Sequence, residues 1–137
     1  STGALQNVSG VGTSGQVLTS NGASALPTWQ AGGSGGMTWV HNPGNITGAA
    51  GTGYLISVTT TITLPASPSI GDTISFVEQG SANITIQANT GQQINIGPNQ
   101  SNIAGTAADN GVCILTLVSN GISSWYATSV IGVWNLN

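Results

Sequence analysis

The side chains able to do acid–base or nucleophilic chemistry near neutral pH are few: His41, Asp72, Glu78, Asp109 and Cys113. Cleaving a glycosidic bond takes two carboxyl groups held at a fixed gap across the scissile bond. No motif links Asp72, Glu78 and Asp109 into such a pair, and Asp72 follows Gly71 as a turn residue. His41 lies in the turn segment His41-Asn42-Pro43-Gly44-Asn45, with no nucleophile motif and no orienting carboxylate nearby in the chain. Calcium loops need several acids within about 12 residues, and no window here holds more than two. Asp109-Asn110-Gly111 therefore reads as a hairpin turn. Cys113 cannot form an intrachain disulfide; inside Val112-Cys113-Ile114-Leu115-Thr116-Leu117-Val118 it reads as a small buried residue, with an interchain bridge as the sharper alternative. The expectation is a protein with no catalytic residue, no metal and no cofactor.

What remains is recognition through neutral groups. Sugar rings stack on aromatic faces while Asn, Gln and Thr side chains supply hydrogen bonds, and such surfaces suit uncharged ligands. Trp39 and His41, beside the Pro43-Gly44 turn, are the first candidates. Trp125 and Phe76 fall in apolar alternation and read as core. Tyr126 is adjacent to Trp125 on a predicted strand and must face the other way, which makes it the third ligand candidate.

These candidates sit in an unusual charge background. The 137 residues contain no Lys, no Arg and three acids, where an ordinary domain is about a quarter charged. Nucleic-acid binding is excluded as an expectation, because phosphate neutralisation requires cations. Anionic membrane surfaces fail for the same reason, and no apolar run approaches the roughly 20 residues of a spanning helix. A membrane β-barrel would need more and longer strands. An apolar content of 39%, in alternating Ile, Val and Leu, argues against disorder. No signal-peptide pattern is visible, and the start at Ser1 leaves room for processing.

The elements that must position these residues are strands. Met37–Val40, 53–64, Thr73–Val77, Asn83–Gln87, Gln93–Ile96, 112–118, Ser124–Thr128 and Val130–Trp134 are rich in β-branched residues, and Gly, Pro and Asn punctuate them every 8–12 residues. No helical stripe exceeds two turns. Val112–Val118 reads as a strand buried on both faces. Ile84-Thr85-Ile86 and Ile94-Asn95-Ile96 repeat ten residues apart, with Asn102-Ile103 beyond; a solenoid needs more repeats than that, so an antiparallel hairpin is preferred. The Thr59-Thr60-Thr61-x-Thr63 row is explained by strand propensity rather than by ice binding. Sequons at Asn7, Asn45, Asn83 and Asn99 are what an Asn- and Thr-rich chain produces by chance. Residues 1–11 read as an extended lead-in, since Gly10 and Gly12 oppose a helical turn through Leu5, Val8 and Val11. Ala31-Gly32-Gly33-Ser34-Gly35-Gly36 reads as a linker. This places an extended assembly segment at 1–36 and a globular β-domain at 37–137.

The segment Gly12-Thr13-Ser14-Gly15-Gln16-Val17-Leu18-Thr19-Ser20-Asn21-Gly22, closed by Pro27-Thr28-Trp29-Gln30, has a hairpin signal at Asn21-Gly22. It resembles the segment found ahead of the tip domains of bacteriophage tail fibres and related surface fibres. A looser resemblance to fibre-tip β-domains runs from about Gly53 to Trp134. The resemblance implies a homotrimeric, adhesive, non-enzymatic protein on a virion or cell-surface appendage, outside the cell, that binds a surface glycan or protein.

The composition points the same way. Edge strands are normally guarded by Lys, Pro or inward charges, and such charges are nearly absent here. Copies of the chain are therefore expected to cover each other's edges, with Gln16, Val17, Leu18, Thr19 and Trp29 as assembly residues. The expected fold is all-β: a compact antiparallel sandwich or jelly-roll-like tip domain behind an extended N-terminal segment, intertwined between subunits. A closed trimer and an open filament joined by N-terminal strand exchange are the two assemblies in play.

Overall fold

The structure is a computed structural model; it describes residues 10–32, 36–109 and 111–137. The sequence readings that fall on Leu5, Val8, Asn7, the centre of the glycine linker and Asn110 lie outside the described residues. The described chain is all-β, and it divides into two compact units, Ser1–Gly35 and Gly36–Asn137.

Among its described residues the first unit holds one antiparallel pair, β1 (Gln16–Thr19) and β2 (Thr28–Ala31), with Leu18 opposite Trp29. The hairpin read at Asn21-Gly22 is present but is not a two-residue turn. Residues 20–27 form a longer loop that the Asn21 amide ties by donating to Leu26 O at 2.8 Å and Thr28 Oγ1 at 3.0 Å. Gly22 takes a φ of +94°, the left-handed geometry that makes glycine useful there.

The second unit is a sandwich of two sheets. Its strands are β3 (Thr38–His41), β4 (Ile46–Thr47), β5 (Thr52–Ile56), β6 (Thr60–Thr63), β7 (Ile70–Glu78), β8 (Ile84–Gln87), β9 (Gln93–Ile96), β10 (Asn99–Gln100), β11 (Thr106–Asp109), β12 (Ile114–Asn120), β13 (Ser124–Ile131) and β14 (Trp134–Leu136). The larger sheet has the order β10-β9-β13-β12-β7-β5-β3 and the smaller β14-β11-β8-β6-β4.

The strand sense corrects the expectation of a purely antiparallel arrangement. From β3 to β8 every connection crosses from one sheet to the other, so a strand returns to its own sheet only after two crossings, running in its original direction. β3, β5 and β7 are therefore parallel neighbours, as are β4, β6 and β8. Three turns of a flattened coil stack in register, with Ile46, Ile62 and Ile86 in one ladder. In the facing ladder Tyr54 lies beside Phe76, their rings stacked at a centroid distance of 5.9 Å. The second half closes the sandwich: β12 and β11 cover the coil antiparallel to β7 and β8, and β9 joins β13 in parallel.

This topology settles the repeat. Ile84-Thr85-Ile86 lies on β8 in the smaller sheet and Ile94-Asn95-Ile96 on β9 in the larger, so the two do not form a hairpin. The coil that does exist uses other residues, with uneven offsets of 16 and 24 between Ile46, Ile62 and Ile86. Likewise β11 and β12 belong to different sheets, so the chain after Asp109 is a crossover rather than a hairpin. β12 is not buried on both faces: Cys113, Leu115, Leu117 and Ser119 point in, while Ile114, Thr116 and Val118 are half-buried.

The core is filled by Tyr54, Ile56, Ile62, Leu64, Ile74, Phe76, Ile84, Ile86, Ile94, Leu115, Leu117 and Trp125. Trp125 and Phe76 are fully buried, as their alternation implied, and so is Cys113. Gln92 carries much of the buried polar accounting. Its Oε1 accepts from Trp125 Nε1 at 3.1 Å and its Nε2 donates to Pro65 O at 2.7 Å. Asn120 caps the β12–β13 turn by accepting from the amides of Ile122, Ser123 and Ser124. Gly71 and Asp72, read as a turn, lie in the first residues of β7, where the Asp72 carboxylate accepts from Ser69 N at 2.8 Å.

Candidate surface for neutral ligands

Strand alternation and register decide which side chains share a face. Tyr54, Phe76 and Leu115 point into the core, so their neighbours point out. One outward row of the larger sheet runs Trp39, Gly53, Ser75, Thr116, Ser129; the next runs His41, Leu55, Val77, Ile114, Ile131. Trp39 and His41 thus stand side by side at the β3 edge. Tyr126 is on the same outward face, in register with Val118 and Thr73.

The three sequence candidates are all exposed, but they do not form one site. Tyr126 lies on β13, four strands from β3, a separation of about 19 Å at the usual strand spacing. The sequence shows which face each occupies; the strand order separates them.

Trp39 is the best-organised of the three. Its indole lies on Gly53, its register partner, where the missing side chain leaves room for the ring. One indole face is covered by the strand and the residue remains 50% exposed. Gly53 was not identified from the sequence, because only the parallel β3–β5 register connects it to Trp39. The end of β3 is fastened by Asn42, whose Nδ2 donates to Ser57 Oγ at 2.8 Å and whose Oδ1 accepts from Ser57 N at 2.7 Å. Asn42 holds a φ of +45°, a conformation Asn tolerates better than most residues.

The smaller sheet has its own outward face, made of Asn45, Thr47, Thr61, Thr63, Thr85, Gln87 and Thr106. Thr61 and Thr63 of the Thr row face out while Thr60 is buried. A shallow hollow there is lined by Asn45, Ile46, Thr47, Thr61 and Thr63.

The carboxylates are placed structurally. Glu78 and Asp109 point inward from opposite sheets, 3% and 7% exposed, rather than into solvent. Glu78 Oε1 accepts from Ala82 N at 2.9 Å and Asp109 Oδ1 from Ile84 N at 2.8 Å, so both hold the β7–β8 connection. Burial pushes Asp109 above the ordinary carboxylate value; the Ile84 amide pulls it back, and the neighbouring Glu78 charge raises it again. Among the described residues no three His, Cys, Asp or Glu side chains are grouped to hold a metal, and no helix is long and apolar enough to cross a membrane.

In the first unit, Gln16 Oε1 accepts from Thr13 N at 2.8 Å, and Trp29 Nε1 donates to Gly10 O at 3.0 Å. Val17 is 51% exposed, while Leu18, Thr19 and Trp29 are half-buried. A hollow beside the hairpin is lined by Val11, Gly12, Thr13, Gln16, Thr28 and Trp29.

No protein-family model matches this chain, and comparison with curated proteins finds no similar sequence.

Proposed function

We propose that this chain is a non-enzymatic extracellular fibre domain that assembles as a homotrimer and adheres to an uncharged glycan on a cell surface. The observation that carries the binding half is Trp39. An indole seated on glycine, half-exposed beside His41, on a face with no charged side chain in its two rows, is suited to stacking on a neutral sugar ring. The assembly half is supported by the edges of two sheets that have no partner strand among the described residues, in a chain without Lys or Arg. The fibre resemblance of residues 12–30 supplies the order three and the appendage location.

The test is binding of the fluorescently labelled protein to an array of neutral oligosaccharides, with Trp39→Ala alongside. Binding of wild type with loss of about tenfold or more in the variant supports the reading (about 1.4 kcal/mol). Equal binding by both proteins removes Trp39 from it.

A second reading, a filament subunit joined by N-terminal strand exchange, is favoured by one observation. The β1–β2 pair is a two-stranded sheet of its own, and such a pair is marginal in water without a further partner.

A further inference from the structure

The coil that begins the second unit is open at its first turn. Among the described residues β3 ends the larger sheet and β4 ends the smaller, so two edges without a partner strand lie at the same end of the sandwich. On β3 the amides of Thr38 and its continuation Asn42 donate to Gly51 O and Leu55 O on the β5 side. Period two then directs the N–H and C=O groups of Trp39 and His41 away from the sheet. On the β4 side Gly48 N donates to Thr63 O, which leaves the Thr47 amide directed outward in the same way. All four β3 residues are exposed, and neither strand contains an Asp, Glu, Lys or Arg.

The occupant that fits is a second copy of this chain, because each edge is the complement of the other. Residues 42–45 carry the chain across the roughly 10 Å between the sheets, so β4 runs back against β3. Around an axis parallel to the strands, β3 of one copy therefore meets β4 of the next in antiparallel sense. Three copies pair all six β3 and β4 edges at once, and no Asp or Glu stands on either strand to oppose the contact. A strand of an unrelated protein would cover one edge and leave the other free.

We propose that this open first turn, β3 with β4, is the contact between subunits of the trimer; the proposal rests on the self-assembly reading above and names its surface. His41→Pro and Thr47→Pro each delete one outward-directed amide and leave the bonds to β5 and β6 in place. The experiment is the mass by light scattering of wild type and both variants. Far-UV circular dichroism checks the fold, and amide exchange at Trp39, His41 and Thr47 is followed in the wild type.

The expected result is a wild-type trimer with those amides slowed about tenfold or more, and folded variants of monomer mass. A wild-type monomer overturns both the contact and the assembly reading. A wild-type trimer with fast exchange at these amides, or with both variants still trimeric, overturns the contact alone. A wild-type dimer that the variants dissociate supports the edge contact and overturns the order three.

Discussion

The Trp39 indole rests on Gly53, its partner across the parallel β3–β5 pair, so closely that a Cβ at Gly53 would fall 2.5 Å from two ring carbons. Gly53 itself is not in the left-handed region, so an alanine is permitted by the backbone and opposed only by the ring. Gly53→Ala must therefore lift the indole off the sheet. We expect it to lower affinity for a neutral oligosaccharide about as much as Trp39→Ala does, with a shift in Trp emission, and the double variant to be no worse than either single one. Full binding by Gly53→Ala would show that the seated indole is not the platform.

Asp109 makes stability depend on pH in a direction opposite to most carboxylates. Its folded value lies above the ordinary 3.8, so between the two values the native state holds more proton than the unfolded one. Stability is then fullest below about 3.8 and falls as pH rises through the folded value. Asp109→Asn keeps an acceptor for the Ile84 amide and removes the buried charge. Urea midpoints measured from pH 3 to 8 should decline less steeply for the variant and end higher at pH 8. A wild-type midpoint that rises with pH over this range contradicts the account.

Gln92 joins Trp125 to the turn after Leu64. Gln92→Ala leaves the Trp125 indole N–H and the Pro65 carbonyl without these partners, at about 1–3 kcal/mol for each group that stays unsatisfied. Gln92→Glu keeps an acceptor and introduces a buried charge, and is expected to cost at least as much. Urea denaturation followed by Trp fluorescence checks both.

The stacked pair in the core is a sharper packing test. Phe76 is fully buried against Tyr54, and Phe76→Ala should cost about 3–5 kcal/mol. Phe76→Leu, which keeps much of the volume, should cost distinctly less. Similar midpoints for the two variants would mean that the site collapses around the lost ring.

Cys113 has no exposed surface, so a thiol reagent should react with it at a rate set by opening of the fold, and at once in urea. Fast labelling of the native protein would place the thiol at the surface.

Although it did not show the short strands β4, β10 and β11, the sequence by itself determined the all-β class, the outward direction of Tyr126 and the burial of Trp125, Phe76 and Cys113. Each follows from a period of two and from residue type, which are local properties. What it did not reveal was any relationship between strands. Asp109 looked like a turn residue because Asn110-Gly111 follows it, yet it is an inward brace for a loop 25 residues away. The Ile84 and Ile94 repeats looked like a pair and lie in opposite sheets.

The seating of Trp39 on Gly53, the distance to Tyr126 and the two free edges at β3 and β4 were decided only by the tertiary structure. The reason is physical: alternation sets which way a side chain points, whereas pairing depends on where each connection crosses the sandwich. From β3 to β8 every crossing is made by a short, ordinary turn that looks the same in sequence as a hairpin. Only the closure of two sheets over one core distinguishes a coil from a meander.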